Sequence, residues 1–177
     1  MRPATPGTGV NLDRAPAGTR RIALEQPTQM PSTHLSLNFH VIFSTRDRVP
    51  EIAADWRADL HAYLGGCVQG AGGQPLIVGG IADHVHLLMR LRATHRLADV
   101  VRHIKAGSSR WVHERHRRRT FAWQDGYAGL TVSPSRIPSV YSYLEHQEEH
   151  HRKKTFQEEY VEFLRESGIE YNERYLW

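Results

Sequence analysis

The segment LSLNFHVIFS at residues 35–44 decides the first element of the fold. Apolar and polar side chains alternate along it. The apolar positions are Leu35, Leu37, Phe39, Val41 and Phe43, and the positions between them are Ser36, Asn38, His40, Ile42 and Ser44. A period of two places each set on its own face of a β-strand. We therefore predict a strand that buries its apolar face in the core.

Helical and extended patterns follow in turn along the chain. A spacing of three and four predicts a helix through Trp56, Leu60, Tyr63, Leu64 and Cys67, which Gly70 to Pro75 interrupt. We predict two strands at Ile77 to Ile81 and His84 to Leu91, and a long helix from about Leu97 to His116. Phe121 to Trp123 and Leu130 to Val132 stand on either side of an Asp125-Gly126 turn and predict a short hairpin.

Two helices are predicted in the last third of the sequence. One starts after Pro134 and runs through Gln147, and one carries Phe156, Tyr160, Phe163 and Leu164 and stops at Gly168. The order of strand, helix, strand, strand, helix, strand indicates a ferredoxin-like (RRM-like) α+β fold. It has an antiparallel sheet with helices packed on one face, to which the C-terminal helices are added.

Composition excludes several classes of protein. The chain has 177 residues, of which 40% are hydrophobic and 24% charged, values typical of one globular domain. We expect no membrane association and a cytoplasmic location, because the sequence has neither a long apolar run nor a secretory signal. The single cysteine, Cys67, excludes a disulfide framework and a cysteine-built zinc site. Residues 1–29, rich in Pro, Gly and Thr, predict a disordered N-terminal extension.

Positive charge is concentrated in the middle of the chain. The net charge is only +4, but residues 96–119 carry eight Arg and Lys against two acidic residues. Nucleic acid is the partner that such a segment favours, although a solvated helix face would look the same. Interspersed aromatic residues favour a single strand, because bases stack on exposed rings. The predicted DNA-binding residues are Arg102, Lys105, Arg110, Trp111, Arg115, Arg117, Arg118, Arg119 and Trp123.

A histidine pair lies within the third predicted strand. His84 and His86 are two positions apart, so both imidazoles point to the same side of the strand. Two neutral imidazoles in this arrangement can chelate a divalent cation. Two solvated strand histidines are the alternative that this spacing leaves open.

A tyrosine and a glutamine share one face of the first C-terminal helix. Tyr143 and Gln147 are four residues apart; a phenol can act as a nucleophile, and an amide oxygen can bind a metal. The alternative is a packing tyrosine and a surface amide. Tyr141 and Tyr127 compete as nucleophiles. His146, His150 and His151 are either extra ligands or a solvated cluster, and we favour the cluster.

Taken together, five segments resemble the single-tyrosine HUH transposases of bacterial insertion sequences, the TnpA type of the IS200-like family. They are LSLNFHVIFSTR (35–46), DHVHLLM (83–89), KAGSSRWVHE (105–114), FAWQDGYAGLTVS (121–133) and YLEHQ (143–147), and the tail FLRESGIEYNERYLW also matches. They occur in the order found in the family. The resemblance implies a catalytic domain at residues 31–151, followed by a C-terminal helix and tail at residues 152–177.

The resemblance also implies an activity and a set of roles. Tyr143 would be the nucleophile, and His84, His86 and Gln147 would hold Mg²⁺ or Mn²⁺. The enzyme would cut and rejoin single-stranded DNA at hairpin-bearing element ends through a 5′-phosphotyrosine. It would work as a homodimer whose active sites are shared between subunits. The alternatives are a non-catalytic RRM-like nucleic-acid-binding protein and a domesticated nuclease of the same family.

Overall fold

The computed structural model describes residues 34–147 and 155–172. The strands of this part of the chain are β1 (Asn38–Ser44), β2 (Gln74–Gly80), β3 (His84–Arg90) and β4 (Ala128–Thr131). Its α-helices are α1 (Ala54–Gly70), α2 (Leu97–Arg115), α3 (Ile137–Glu145) and α4 (Phe156–Glu166). Short 3₁₀ turns occur at Arg46–Arg48 and Pro134–Arg136. The predicted disordered extension at residues 1–29 lies outside the described residues.

The four strands form one antiparallel sheet in the order β2-β3-β1-β4. The outer strands β2 and β4 are therefore separated by the pair β3 and β1, which is the ferredoxin-like arrangement. The predicted α+β fold class is confirmed. In the register of β1 and β3, Ile42 lies opposite His86 and Ser44 lies opposite His84.

One face of the sheet carries the main core. Alternate residues of β1 and β3 point into it, including Val41, Phe43, Val85 and Leu87. Helices α1 and α2 cover this face with the buried residues Trp56, Leu60, Leu64, Val68, Val100, Val101, Ile104 and Val112. The predicted alternation of β1 is confirmed over Asn38–Ser44. Leu35 lies before the strand and is largely exposed.

The opposite face of the sheet is covered by the two C-terminal helices. Leu144 of α3 packs against Leu88 of β3, and Phe156 of α4 packs against Ile42 of β1. Gly79 of β2 allows α3 to approach closely, since a Cβ at this position would lie 2.6 Å from the carbonyl oxygen of Leu144. Both faces of the sheet are therefore covered by helices.

The predicted hairpin between residues 121–123 and 130–132 is wrong. Trp123 forms an antiparallel bridge with Thr45 just past the end of β1, while β4 pairs with β1 itself. The reason is burial: Phe121 and Trp123 pack edge to face in the core, and Trp123 also meets Phe43 edge to face. Among the described residues, no helix is long and apolar enough to cross a membrane.

Candidate active site

The histidine pair of β3 is buried between the sheet and the C-terminal helices. Because β3 alternates, Val85 and Leu87 enter the main core while His84 and His86 point to the other face. Both histidines have 0% exposed surface, and their ring centroids are 5.0 Å apart. The alternative of two solvated histidines is therefore wrong.

Each histidine is oriented by a neighbour at its Nδ1 atom. His84 Nδ1 lies 2.7 Å from Asp83 Oδ1, and His86 Nδ1 lies 2.9 Å from His40 Nε2. Burial lowers the pKa of His40 to about 4, so His40 is neutral at physiological pH. Contacts of this kind fix ring orientation and leave the Nε2 atom of each histidine as the potential metal ligand.

Arg48 extends this arrangement from the 3₁₀ turn after β1. Its guanidinium lies 3.2 Å from Asp83 Oδ2 and 4.9 Å from the centre of the Phe156 ring. Burial by itself would raise the pKa of Asp83. The hydrogen bonds from His84 and Arg48, together with the positive charge of Arg48, outweigh burial and hold that pKa below its usual value. The carboxylate is thus ionised and can hold His84 in place.

Tyr143 reaches the histidines from α3. The first turn of α3 contains Pro138, and the close packing of α3 against Gly79 places the Tyr143 ring centre 5.9 Å from that of His86. Gln147 lies two residues beyond the last residue of α3, yet its buried side chain is close enough to Tyr143 to lower the pKa of the phenol slightly against the other effects. The structure therefore brings together the four residues that the sequence predicted for the site.

A fifth residue, Glu159 of α4, completes this cluster. The Tyr143 hydroxyl donates a hydrogen bond to Glu159 Oε1. Glu159 is 5% exposed although it is a carboxylate. Burial raises the pKa of Tyr143, and the hydrogen bond to Glu159 raises it further. The phenol is therefore held in its protonated form.

The cluster has a donor set that fits a divalent cation. The potential ligand atoms of His84, His86 and Glu159 lie within 4.8 Å of one another. Two imidazoles and one carboxylate form a common ligand set for divalent transition metals that leaves coordination positions open. The site thus combines a metal-binding geometry with a tyrosine hydroxyl.

Helix α4 also covers this cluster from solvent. Phe156 stacks on His84 with ring centres 4.1 Å apart, and Phe163 meets both His40 and Tyr143 edge to face. A capping box between Thr155 and Glu158 fixes the start of α4. This start sets the rotation of the helix, which turns Phe156, Glu159 and Phe163 towards the sheet.

The rival residues lie elsewhere. Tyr141 is 40% exposed on α3, and Tyr127 packs against the main core. His146 bonds within its own turn: its Nδ1 donates to the carbonyl oxygen of Ser142 at 2.8 Å. His150 and His151 lie outside the described residues.

Sequence reasoning did not assign roles to His40, Asp83 and Glu159. His40 could have been noticed as a polar residue on the same strand face as Ile42, and Asp83 as the acid next to His84. The signal for Glu159 is its place in the apolar stripe of α4, three residues after Phe156 and four before Phe163. A carboxylate on a buried helix face indicates a specific partner.

Several predicted DNA-binding residues have structural partners. Trp123 is buried in the core, where its Nε1 donates to Ser108 Oγ, so the expected base stacking does not fit its position. Trp111 stacks on Tyr63 with ring centres 5.1 Å apart and is half-buried. Lys105 donates to the carbonyl oxygens of Gln124 and Gly126, and burial lowers its pKa.

The arginines of the basic segment remain at the surface. Arg102 pairs with Asp99 across one turn of α2. Arg110, Arg115, Arg117, Arg118 and Arg119 are exposed. Helix α2 covers the face of the sheet opposite to the histidines, so the sheet separates it from the cluster. The segment after Arg119 pairs with the chain at the end of β1, near Ser44. Ser44 itself lies opposite His84 in the sheet. The basic segment is therefore brought towards the histidine end of the sheet.

Comparison with known proteins agrees with the fold and identifies the family. A candidate transposase from Deinococcus radiodurans R1 has a similar structure at 22% identity, with a TM-score of 0.55 over 68% of this chain and 97% of that one. A REP-associated tyrosine transposase bound to a REP hairpin is similar at 10% identity, with a TM-score of 0.52 over 70% of this chain and 74% of that one. No curated protein matches the sequence significantly. The family model described as "Transposase IS200 like" matches residues 33–147, which is more than half of the sequence, and the chain therefore belongs to the IS200-like transposase family.

Proposed function

We propose that this chain cuts and rejoins single-stranded DNA with Tyr143 as the nucleophile. The observation that carries the proposal is the position of the Tyr143 hydroxyl in one cluster with His84, His86 and Glu159. A tyrosine that served only packing would not need a carboxylate and a histidine pair beside its oxygen. The family supplies the substrate class, since transposases act on DNA.

The reaction is an in-line displacement at a phosphodiester. The Tyr143 oxygen attacks the phosphorus, and the bond to the 3′-oxygen of the preceding nucleotide breaks. The phenolic proton passes along the existing hydrogen bond to Glu159, and the departing 3′-oxygen takes up a proton from solvent water to become a 3′-hydroxyl. The product is a 5′-phosphotyrosine. Another 3′-hydroxyl can attack it in the reverse sense, so rejoining needs no ATP.

The histidines would hold Mg²⁺ or Mn²⁺ at this site. A bound divalent cation neutralises charge on the phosphate and orients it for attack. The chain itself contributes ring orientation through Asp83 and His40, and it directs the Tyr143 oxygen through Gln147 and Glu159. Because both histidines are fully buried, the Phe156 ring that stacks on His84 must move aside before a DNA strand can enter.

We propose that the bound DNA strand lies along the exposed arginines of the basic segment. Arg117, Arg118 and Arg119 are exposed in the segment that leads from α2 to the Ser44 end of the sheet. We place the strand along this segment and around that end to the cluster. The REP hairpin in the related structure supports hairpin DNA as the substrate at element ends. A cytoplasmic location follows from such a substrate.

The resemblance also predicts a homodimer with shared active sites. In the described chain, Tyr143 lies beside the histidines of the same chain. A dimer can therefore form without sharing, and exchange of α3 between two copies would reproduce the same contacts across the two chains.

The non-catalytic alternative is disfavoured by the C-terminal helices. RRM domains bind RNA on the exposed face of their sheet. Here α3 and α4 cover the sheet face that is not occupied by α1 and α2. A tyrosine nucleophile beside a metal-binding cluster explains that covered face better than an RNA-binding platform does.

The deciding experiment is the replacement of Tyr143 by Phe. We expect Tyr143→Phe to abolish the covalent protein–DNA adduct formed with single-stranded DNA and Mn²⁺, as seen on a denaturing gel, and to keep DNA binding. Tyr141→Phe is the matched control, because Tyr141 is exposed on the same helix. An adduct that persists in Tyr143→Phe and disappears in Tyr141→Phe would assign the nucleophile to Tyr141.

A further inference from the structure

The geometry points to Glu159 as the third protein ligand of the divalent cation in the DNA-free protein. This inference rests on the proposed function and deepens it. The resemblance assigns the third ligand to Gln147, whereas the structure brings a carboxylate from α4 to the two histidines. The ligand atoms of His84, His86 and Glu159 lie within 4.8 Å of one another.

The position of Glu159 on α4 is the first argument. Its neighbours Glu158 and Glu162 are exposed, and Glu158 serves the capping box. Glu159 is 5% exposed between Phe156 and Phe163 on the face that packs against the sheet. A carboxylate on the buried face of a helix, beside two imidazoles, is in the position of a metal ligand and not of a solvated surface charge.

The second argument is that Glu159 can hold the cation and Tyr143 together. A carboxylate has two oxygens with about four acceptor sites, so it can accept a hydrogen bond and also bind a metal. The Tyr143 hydroxyl already donates to Oε1. Glu159 would therefore keep the nucleophilic oxygen next to the cation before DNA arrives.

The third argument concerns the identity of the cation. Imidazoles by themselves favour later transition ions, whereas carboxylates suit magnesium and manganese. Replacing an amide ligand by a carboxylate also adds one negative charge to the site. A His-His-Glu set thus favours Mn²⁺ and binds it more tightly than Mg²⁺.

The test is Mn²⁺ binding by the full chain without DNA. Chelator-treated protein is titrated with Mn²⁺, and free Mn²⁺ is followed by electron paramagnetic resonance. We expect Glu159→Gln to raise the Kd for Mn²⁺ by at least about tenfold. Even the replacement of residues that only hydrogen-bond to metal ligands changes metal affinity by about 10- to 100-fold. Glu162→Gln is the matched control: it removes the same charge from an exposed position of α4 and should leave the Kd nearly unchanged.

Two further variants separate this inference from the proposed function. In His84→Ala/His86→Ala, Mn²⁺ binding should disappear; if it persists, the proposed metal site itself is wrong. If that double variant loses binding while Glu159→Gln binds like the wild type, Glu159 is not a ligand and the proposed function stands. If Gln147→Ala raises the Kd for Mn²⁺ more than Glu159→Gln does, Gln147 is the third ligand and Glu159 is not. Circular dichroism of each variant confirms that it is folded.

Discussion

Replacing Gly79 by Ala should displace the proposed nucleophile, Tyr143, while leaving the Tyr143 side chain itself unchanged. Gly79 lies on β2, opposite His86 in the neighbouring strand, and it faces the end of α3. A Cβ at this position would lie 2.6 Å from the carbonyl oxygen of Leu144, whereas ordinary contacts begin at 3.4 Å. The backbone of α3 must therefore move by about 0.8 Å, the difference between these two distances. Tyr143 is the adjacent residue and must move with it.

The expected effects are a loss of stability and a larger loss of rate. Forced overpacking of this kind costs about 1–3 kcal/mol of unfolding free energy. Misplacement of a reacting group by about 1 Å costs about a hundredfold in rate. We expect Gly79→Ala to lower the midpoint of urea unfolding. It should also slow adduct formation on single-stranded DNA by about one to two orders of magnitude, because the Tyr143 oxygen is displaced from its reacting position.

The chain contains a matched control for this substitution. Gly66 lies in the middle of α1 and is exposed, and a Cβ added to it would meet no atom within 4 Å. Gly66→Ala should raise the unfolding free energy by up to about 1 kcal/mol, the helix-propensity difference, and leave the adduct rate unchanged. A Gly79→Ala protein with wild-type stability and rate would show that the packing of α3 on β2 does not position Tyr143.

Two other predictions concern DNA binding and subunit arrangement. Replacing Arg117, Arg118 and Arg119 by Ala should weaken single-strand binding and lower the slope of log affinity against log salt by up to about 2, if all three contact phosphates; an unchanged slope would place the DNA elsewhere. Heterodimers of a His84→Ala/His86→Ala subunit and a Tyr143→Phe subunit, purified through two different tags, should form no adduct if each copy keeps its own Tyr143 beside its own histidines, as in the single chain. Recovered adduct formation would instead show that the two copies share their sites.

Local patterns predicted most of the secondary structure and the family. The alternation at residues 35–44 predicts β1, and the spacing of Leu97, Val100, Val101 and Ile104 predicts α2, because each periodicity reflects one buried face. The order of the elements then leaves few topologies, of which the observed sheet is one. Local signals failed at Trp123, where burial against Phe43 outweighed the turn at Asp125-Gly126.

The sequence by itself determined that His84 and His86 share a strand face, and it paired Tyr143 with Gln147. Only the tertiary structure decided that these two pairs meet, that the sheet separates α2 from them, and that Glu159 joins them from α4. The physical reason is that periodicity reports which face of an element is buried but not which other element covers that face. Contacts between His86, Tyr143 and Glu159 span three separate elements. They form because α3 packs on the apolar patch around Leu88 and α4 packs on the patch around Ile42, both on the same face of the sheet.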